Sequence, residues 1–369
     1  MIILQGNMNI TIFIGSLYGG GAERVACNLA NYLVKRGHNV ELLTMAESVK
    51  HYPFNLNISN MILLKNIERH GFLRNLFIRL FRLKKYLLSH QVDCYVVMLP
   101  ITTIILLCMR RLTNAIIIAS ERVDPSSYSV LKRFFLKKLA QRADRFIFQT
   151  DIIRQWYGGT VENKKAFVIP NAVNSDFIRP SFLGKRSKTI VSVGRLTNQK
   201  NFSLLIKSFA QVHKTYPEYD LVIYGEGPLK KDLIGLSINL NIDDKVFLPG
   251  QVENIAEKME SATMFVLSSD YEGMPNALME AMALGLPCVA TNCKGGGARF
   301  LIESGINGIL IPANDENSLV LAMIKILEDN VLANNLGKNA RMIINKFDSN
   351  VIYEKWEKCI VDACIEDGA

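Results

Sequence analysis

The chain has 369 residues and a mass of 41.5 kDa, the length of two domains. Hydrophobic residues make up 49% and charged residues 21%, which excludes wholesale disorder. The net charge of +9 is uneven: residues 1–180 hold 24 basic and 11 acidic side chains, and the remainder 19 and 23, so only the first half suits a polyanion or an anionic membrane.

Residues 9–15 (NITIFIG) read as a strand, 16–21 (SLYGGG) as a loop and 22–36 as a helix that stops at Gly37. Residues 40–44 make the next strand, giving a βαβ opening. Further strands are predicted near 61–64, 93–98, 116–119, 146–149 and 166–169. The most apolar run, 94–109, has 16 residues and contains Pro100. It is short of the ~20 residues needed to span a bilayer, and it reads as a strand, a turn and a helix. No transmembrane anchor is expected, and the start lacks the basic region of a secretory leader.

A boundary is read at Pro170 to Asn174 and the polar run 180–188. Strands then follow at 189–193, 221–224, 246–248, 264–267, 288–290 and 308–311. Helices are predicted over about 201–215, 228–240, 276–284, 316–328, 331–345 and 350–364. The alternation predicts an α/β protein with two doubly wound, Rossmann-like domains and ligands bound at the carboxyl ends of the strands. The seven cysteines include no CxxC pair, and the five histidines do not cluster near them. That fits a reducing compartment and suggests no metal site.

Three stretches carry chemistry. In 270–291 (DYEGMPNALMEAMALGLPCVAT), Pro275 suits the first turn of a helix whose N-terminus is an anion site. Glu272 then lies before the helix, with Glu280 two turns in on about the same side. The two carboxylates could accept from sugar hydroxyls and from a ribose diol. Isolated glutamates on a helix are more often solvated; the whole string is more specific. In 194–201 (GRLTNQKN), Gly194 ends a strand, and Arg195 and Lys200 are two cations that could clamp a diphosphate. In 224–228 (YGEGP), Gly225 and Glu226 follow another strand, and the glycines admit either a ligand or a tight turn.

These three motifs, in this order, resemble those of the retaining family-4 glycosyltransferases of GT-B fold. The opening GGGAERVACNLANYL is similar to that of bacterial members that build surface polysaccharides. The resemblance covers essentially the whole chain. It implies domains of 1–180 for the acceptor and 181–350 for the nucleotide-sugar, facing a cleft, with 351–369 a terminal helix packing back toward the N-terminal domain. It gives Glu280 to the ribose, and Glu272 with the backbone of Gly273, Met274, Pro275 and Asn276 to the donor sugar. Arg195 and Lys200 go to the diphosphate, and Gly20 and Gly21 to the loop facing diphosphate and acceptor. No metal or other cofactor is implied, and the sequence holds no Asp-x-Asp.

One departure concerns Arg122, which stands where many members have a histidine near the reacting sugar. An arginine is no base, but it could stabilise phosphate or acceptor oxygens; an Arg122–Asp124 pair is the structural alternative. No double-displacement nucleophile stands out, which fits front-face transfer with the leaving diphosphate assisting.

The basic half contains two amphipathic stretches, 69–90 and 132–145. In the first, Phe72, Leu73, Leu76, Phe77, Leu80, Leu83 and Leu87 form a stripe beside Arg69, Arg74, Arg79, Arg82, Lys84 and Lys85. The stripe suits packing on a sheet, and the basic rim suits anionic lipid. Nucleic acid is not expected, because no docking motif accompanies the charge.

The expected reaction is therefore transfer of a hexose or N-acetylhexosamine from a nucleotide-sugar, expected to be UDP-linked, with retention, to an oligosaccharide on undecaprenyl diphosphate in O-antigen, capsule or related glycan assembly. The expected location is cytoplasmic, peripheral at the inner face of the bacterial inner membrane. The alternatives are a nucleotide-sugar epimerase of the same architecture and a non-catalytic nucleotide-sugar-binding protein.

Overall fold

The computed structural model describes residues 7–48, 54–65 and 71–367. The start of the chain, read above as lacking a leader, and Arg69 at the head of the basic stretch lie outside the described residues. The chain forms two compact units, one running through Asn171 and resuming at Asn350, the other holding Ala172–Ser349.

In the first unit, seven parallel strands appear among the described residues. They are β1 (Asn9–Ile14), β2 (Asn39–Thr44), β3 (Ser59–Ile62), β4 (Cys94–Met98), β5 (Ile116–Glu121), β6 (Arg145–Phe148) and β7 (Ala166–Val168). Their order is β3-β2-β1-β4-β5-β6-β7. Strands such as β5 (IIIASE) are apolar along most of their length because helices cover both faces, and every residue of β5 is buried. Helices α1 (Gly21–Lys35), α2 (Phe72–Ser89), α3 (Pro100–Cys108), α4 (Val130–Ala140) and α5 (Asp151–Tyr157) link these strands. Leu83, Leu107, Leu136 and Ile153, from α2 to α5, share one buried cluster with Phe13, Val97, Ile117 and Phe148 of the sheet. That common face follows from right-handed crossovers. The terminal helix α14 (Ser349–Asp367) lies beside α1, where Tyr32 Oη donates to Glu357 Oε2 at 3.1 Å.

The apolar stripe of α2 does not pack on the sheet along its length. Leu83, Tyr86 and Leu87 are buried, whereas Phe72, Leu73, Phe77 and Phe81 are exposed. An 18-residue helix is about 27 Å long and outruns a six-residue strand of about 20 Å by little more than one turn, which takes in Phe72 and Leu73 but not Phe77 and Phe81.

The second unit has strands β8 (Thr189–Val193), β9 (Asp220–Tyr224), β10 (Val246–Gly250), β11 (Met264–Leu267), β12 (Cys288–Asn292) and β13 (Ile309–Pro312). All pair in parallel in the order β10-β9-β8-β11-β12-β13. Its helices are α6 (Phe202–Thr215), α7 (Lys230–Asn239), α8 (Ile255–Met259), α9 (Asn276–Ala283), α10 (Gly297–Leu301), α11 (Glu316–Glu328), α12 (Asn330–Ala340) and α13 (Ile343–Lys346). The helix expected over 331–345 is two: the chain bends at Arg341–Met342, where the Arg341 guanidinium anchors to the carbonyls of Ala283, at 2.8 Å, and Arg179. Helices α5, α8 and α10 are not foreseen in the sequence, being too short to show a helical period. All seven cysteines are free thiols. Among the described residues, no helix is long and apolar enough to cross a membrane.

Candidate functional site

In each sheet the strand order reverses once, between β1 and β4 and between β8 and β11. Crevices at such switch points are where doubly wound sheets hold ligands. The loop 194–201 leaves β8 and the loop 268–275 leaves β11, so two of the three chemistry-bearing stretches meet at one switch point.

Lys200 Nζ lies 2.5 Å from Glu272 Oε1, with 16% and 8% of the two side chains exposed. Ser269 Oγ donates to the same oxygen at 2.7 Å, and the Glu272 N–H donates to Lys294 O at 3.0 Å. Gln199 Nε2 donates to Tyr271 O at 3.0 Å. Asn201, in the left-handed region at φ 45°, donates through Nδ2 to Asp270 Oδ1 at 2.8 Å. The two loops are therefore knitted by side-chain bonds, and Glu272 is fixed at both backbone and carboxylate. One of the three ammonium donors of Lys200 suffices for Glu272.

Helix α9 begins at Asn276, and its N-cap residue, Pro275, has no polar side chain with which to cap it. Its amino end therefore presents N–H groups and positive potential beside Glu272. Glu280 is buried and sits about one turn into α9, not two, since it follows Pro275 by only five residues and Asn276 by four. Gly273, Met274 and Pro275 are buried and Asn276 is half-buried.

The glycines of YGEGP serve the chain's own packing. A Cβ on Gly225, at φ +138°, would meet Gly194 O at 2.0 Å, and one on Gly227 would meet Leu196 O at 2.4 Å. Arg195 is exposed on the same loop as Lys200. Glu226 is not drawn into the cluster: its carboxylate accepts from Lys230 Nζ, at the start of α7, at 2.9 Å.

In the first unit, Gly20 and Gly21 form the start of α1 after β1, and the Glu23 carboxylate of the first turn lies over Gly20, where an added Cβ would meet its Oε2 at 2.3 Å. Arg122 follows β5 and is buried. Its Nη1 donates to Asn171 Oδ1 at 3.0 Å, and its guanidinium carbon stands 4.9 Å from the Trp356 ring centroid. Asn171 Oδ1 also accepts from Gln149 Nε2 at 2.9 Å. The alternative Arg122–Asp124 pair does not form; the Asp124 carboxylate instead accepts from the Ser126 N–H at 2.9 Å and its hydroxyl at 2.5 Å, closing a short 3-10 turn. Among the described residues, the buried Nε and Nη2 of Arg122, Gln149 Oε1 and Trp356 Nε1 meet no hydrogen-bond partner. Burial lowers the Arg122 pKa to about 10, so the side chain stays cationic at neutral pH.

Comparison with known proteins decides the family. The model described as "Glycosyltransferase Family 4" matches residues 19–177, and that described as "Glycosyl transferases group 1" matches 174–342. A Campylobacter jejuni N-acetylgalactosamine-N,N'-diacetylbacillosaminyl-diphospho-undecaprenol 4-alpha-N-acetylgalactosaminyltransferase is 30% identical over 91% of this chain and 95% of its own. The chain belongs to the family-4 glycosyltransferases. A second C. jejuni protein, a GalNAc-alpha-(1->4)-GalNAc-alpha-(1->3)-diNAcBac-PP-undecaprenol alpha-1,4-N-acetyl-D-galactosaminyltransferase, is 26% identical over 96% of this chain and 99% of its own. Anabaena HepE, solved with UDP and glucose, superposes with a TM-score of 0.83 at 19% identity, covering 96% of this chain and 100% of its own. Sucrose-phosphate synthase from Thermosynechococcus elongatus gives 0.82 at 20% identity, covering 95% and 98%. These structural likenesses show the GT-B fold.

Several residues that shape this glycosyltransferase's loops escape sequence reading. Ser269 and Asn201 are short polar residues at strand and helix ends, and only their partners reveal a role. Glu121, beside Arg122, is buried and accepts from Tyr128 Oη and Tyr157 Oη, each at 2.7 Å. Its burial raises its carboxyl pKa above the usual range. A charged residue inside an apolar strand run was the available signal. Among the described residues, no group of His, Cys, Asp and Glu is arranged to hold a metal ion.

Proposed function

We propose that this glycosyltransferase moves a hexose or N-acetylhexosamine from a UDP-linked donor, with retention and without a metal, to a sugar carried on a polyprenyl diphosphate. The observation that carries the reading is the Lys200–Glu272 pair at the β8/β11 switch point, beside the amino end of α9. Cation, carboxylate and backbone N–H groups converge there, which suits a sugar joined to a diphosphate. Lys200 and Arg195 neutralise the diphosphate, and Glu272 with the 273–276 backbone orients the donor sugar. Glu280 takes the ribose. Gly20 and Gly21 belong to the loop that faces the diphosphate and acceptor, and Arg122 stabilises phosphate or acceptor oxygens as the bond breaks.

The diphospho-undecaprenol acceptors named for the C. jejuni relatives support a lipid-linked acceptor. The exposed Phe72, Leu73, Phe77 and Phe81, with Arg74 and Lys84 on the same helix, support peripheral binding to the inner, cytoplasmic face of the membrane.

The test is thermal unfolding with UDP-, GDP-, ADP- and dTDP-sugars in EDTA, followed by transfer to lipid-linked glycan. A UDP-sugar is expected to raise the Tm, and the product to keep the donor's anomeric configuration by NMR. No shift with any nucleotide removes the donor site. Conversion of the donor sugar without acceptor makes the protein an epimerase.

A further inference from the structure

We propose that the groove between α4 and α5 binds the diphosphate and first isoprene units of the lipid-linked acceptor. This rests on the reading of a polyprenyl diphosphate acceptor and names where its lipid end docks. The groove is open, about 830 Å³, and lies wholly within the first unit. Val130 and Phe134 of α4 and Trp156 of α5 form its apolar lining, and Arg133, Lys137 and Lys138 its cationic rim. Val130 is 73% exposed and Phe134 57%, an apolar surface that no element among the described residues covers.

Carboxylates near the rim are engaged elsewhere. Asp151 is taken by Arg154 and Glu162 by Lys164. Among the described residues, Arg133, Lys137 and Lys138 form no ion pair with a carboxylate. Two of them are held against the lining instead: Lys137 Nζ lies 4.4 Å from the Trp156 ring centroid and Lys138 Nζ 5.7 Å from that of Phe134. An apolar trough rimmed by unneutralised cations fits hydrocarbon ending in a multiply charged anion. A bilayer phosphodiester brings a single charge, whereas a diphosphate ester brings more and attaches directly to a branched chain.

The groove is also tied to the candidate site. Tyr128, just ahead of α4, and Tyr157, next to Trp156, both donate to the Glu121 carboxylate at 2.7 Å. Both walls are thereby fastened to the end of β5 that carries Arg122.

The experiment is flotation of the full chain with phosphatidylcholine vesicles carrying either a polyprenyl diphosphate or phosphatidylglycerol at matched charge. The wild type is expected to favour the diphosphate vesicles. Arg133→Gln/Lys137→Gln/Lys138→Gln is expected to lose about a hundredfold on diphosphate vesicles and far less on phosphatidylglycerol. Arg74→Gln/Lys84→Gln/Lys85→Gln, on α2, is expected to weaken both alike. Diphosphate vesicles are also expected to shift tryptophan emission to the blue, a change lost in Trp156→Phe. If the triple variant melts early, Lys137→Glu alone carries the test. A wild type that ignores polyprenyl diphosphate overturns the lipid-acceptor reading. A wild type that binds it, with a groove variant that binds equally well, overturns the groove and leaves that reading standing.

Discussion

Lys200 and Glu272, 72 positions apart in the chain, meet at 2.5 Å where β8 and β11 end side by side. The pair is largely withdrawn from water, so each partner depends on the other's charge. Lys200→Met is expected to destabilise the fold by about 3–5 kcal/mol because it strands a buried carboxylate. Glu272→Gln in the same chain should restore much of that loss. A double-mutant cycle by urea unfolding reads the coupling, and additive effects would show the pair to be energetically idle.

Arg122 is held by a hydrogen bond to Asn171 and by the face of Trp356. Arg122→Lys keeps the charge and loses both geometries. The expected result is a fall in kcat on the order of tenfold to a hundredfold, with donor affinity unchanged. Steady-state kinetics with donor titration separates the two, and a loss of donor binding alone would move Arg122 to a different task.

Glu121 makes stability depend on pH in a direction opposite to most carboxylates. Its folded pKa is raised by burial, so between the unfolded value and the folded value the native state binds more protons than the unfolded state. Stability from this group is full below the unfolded pKa and declines as pH rises through the folded one. Glu121→Gln is therefore expected to flatten the decline. Denaturant midpoints between about pH 4.5 and 7.5 test this against the ordinary carboxylate range.

Gly297 presses on the candidate sugar loop, since a Cβ there would meet Gly273 O at 1.8 Å. Gly297→Ala is expected to displace residues 273–275 and weaken donor binding by about tenfold or more. Gly235, inside α7, is the matched control, because a Cβ added there would meet nothing within 4 Å among the described residues. Gly235→Ala should stabilise by about 0.5–1 kcal/mol and leave donor binding unaltered. Isothermal titration of both variants decides the matter.

The sequence by itself determined the two α/β series, the strand positions and the stretches from which the loops at β8 and β11 are built. Apolar runs and helical periods are local properties, and the strands of both sheets follow them. Tertiary structure alone decided which residues of those stretches meet. Lys200 pairs with Glu272 because the strand order reverses between β8 and β11, and Glu226 stays apart because β9 lies on the other side of β8. The same holds for Arg122: its neighbour Asp124 turns away to Ser126, and its partners Asn171 and Trp356 arrive from distant parts of the chain. Hydrogen-bond partners at strand ends are set by which strands lie side by side, and no local pattern encodes that order.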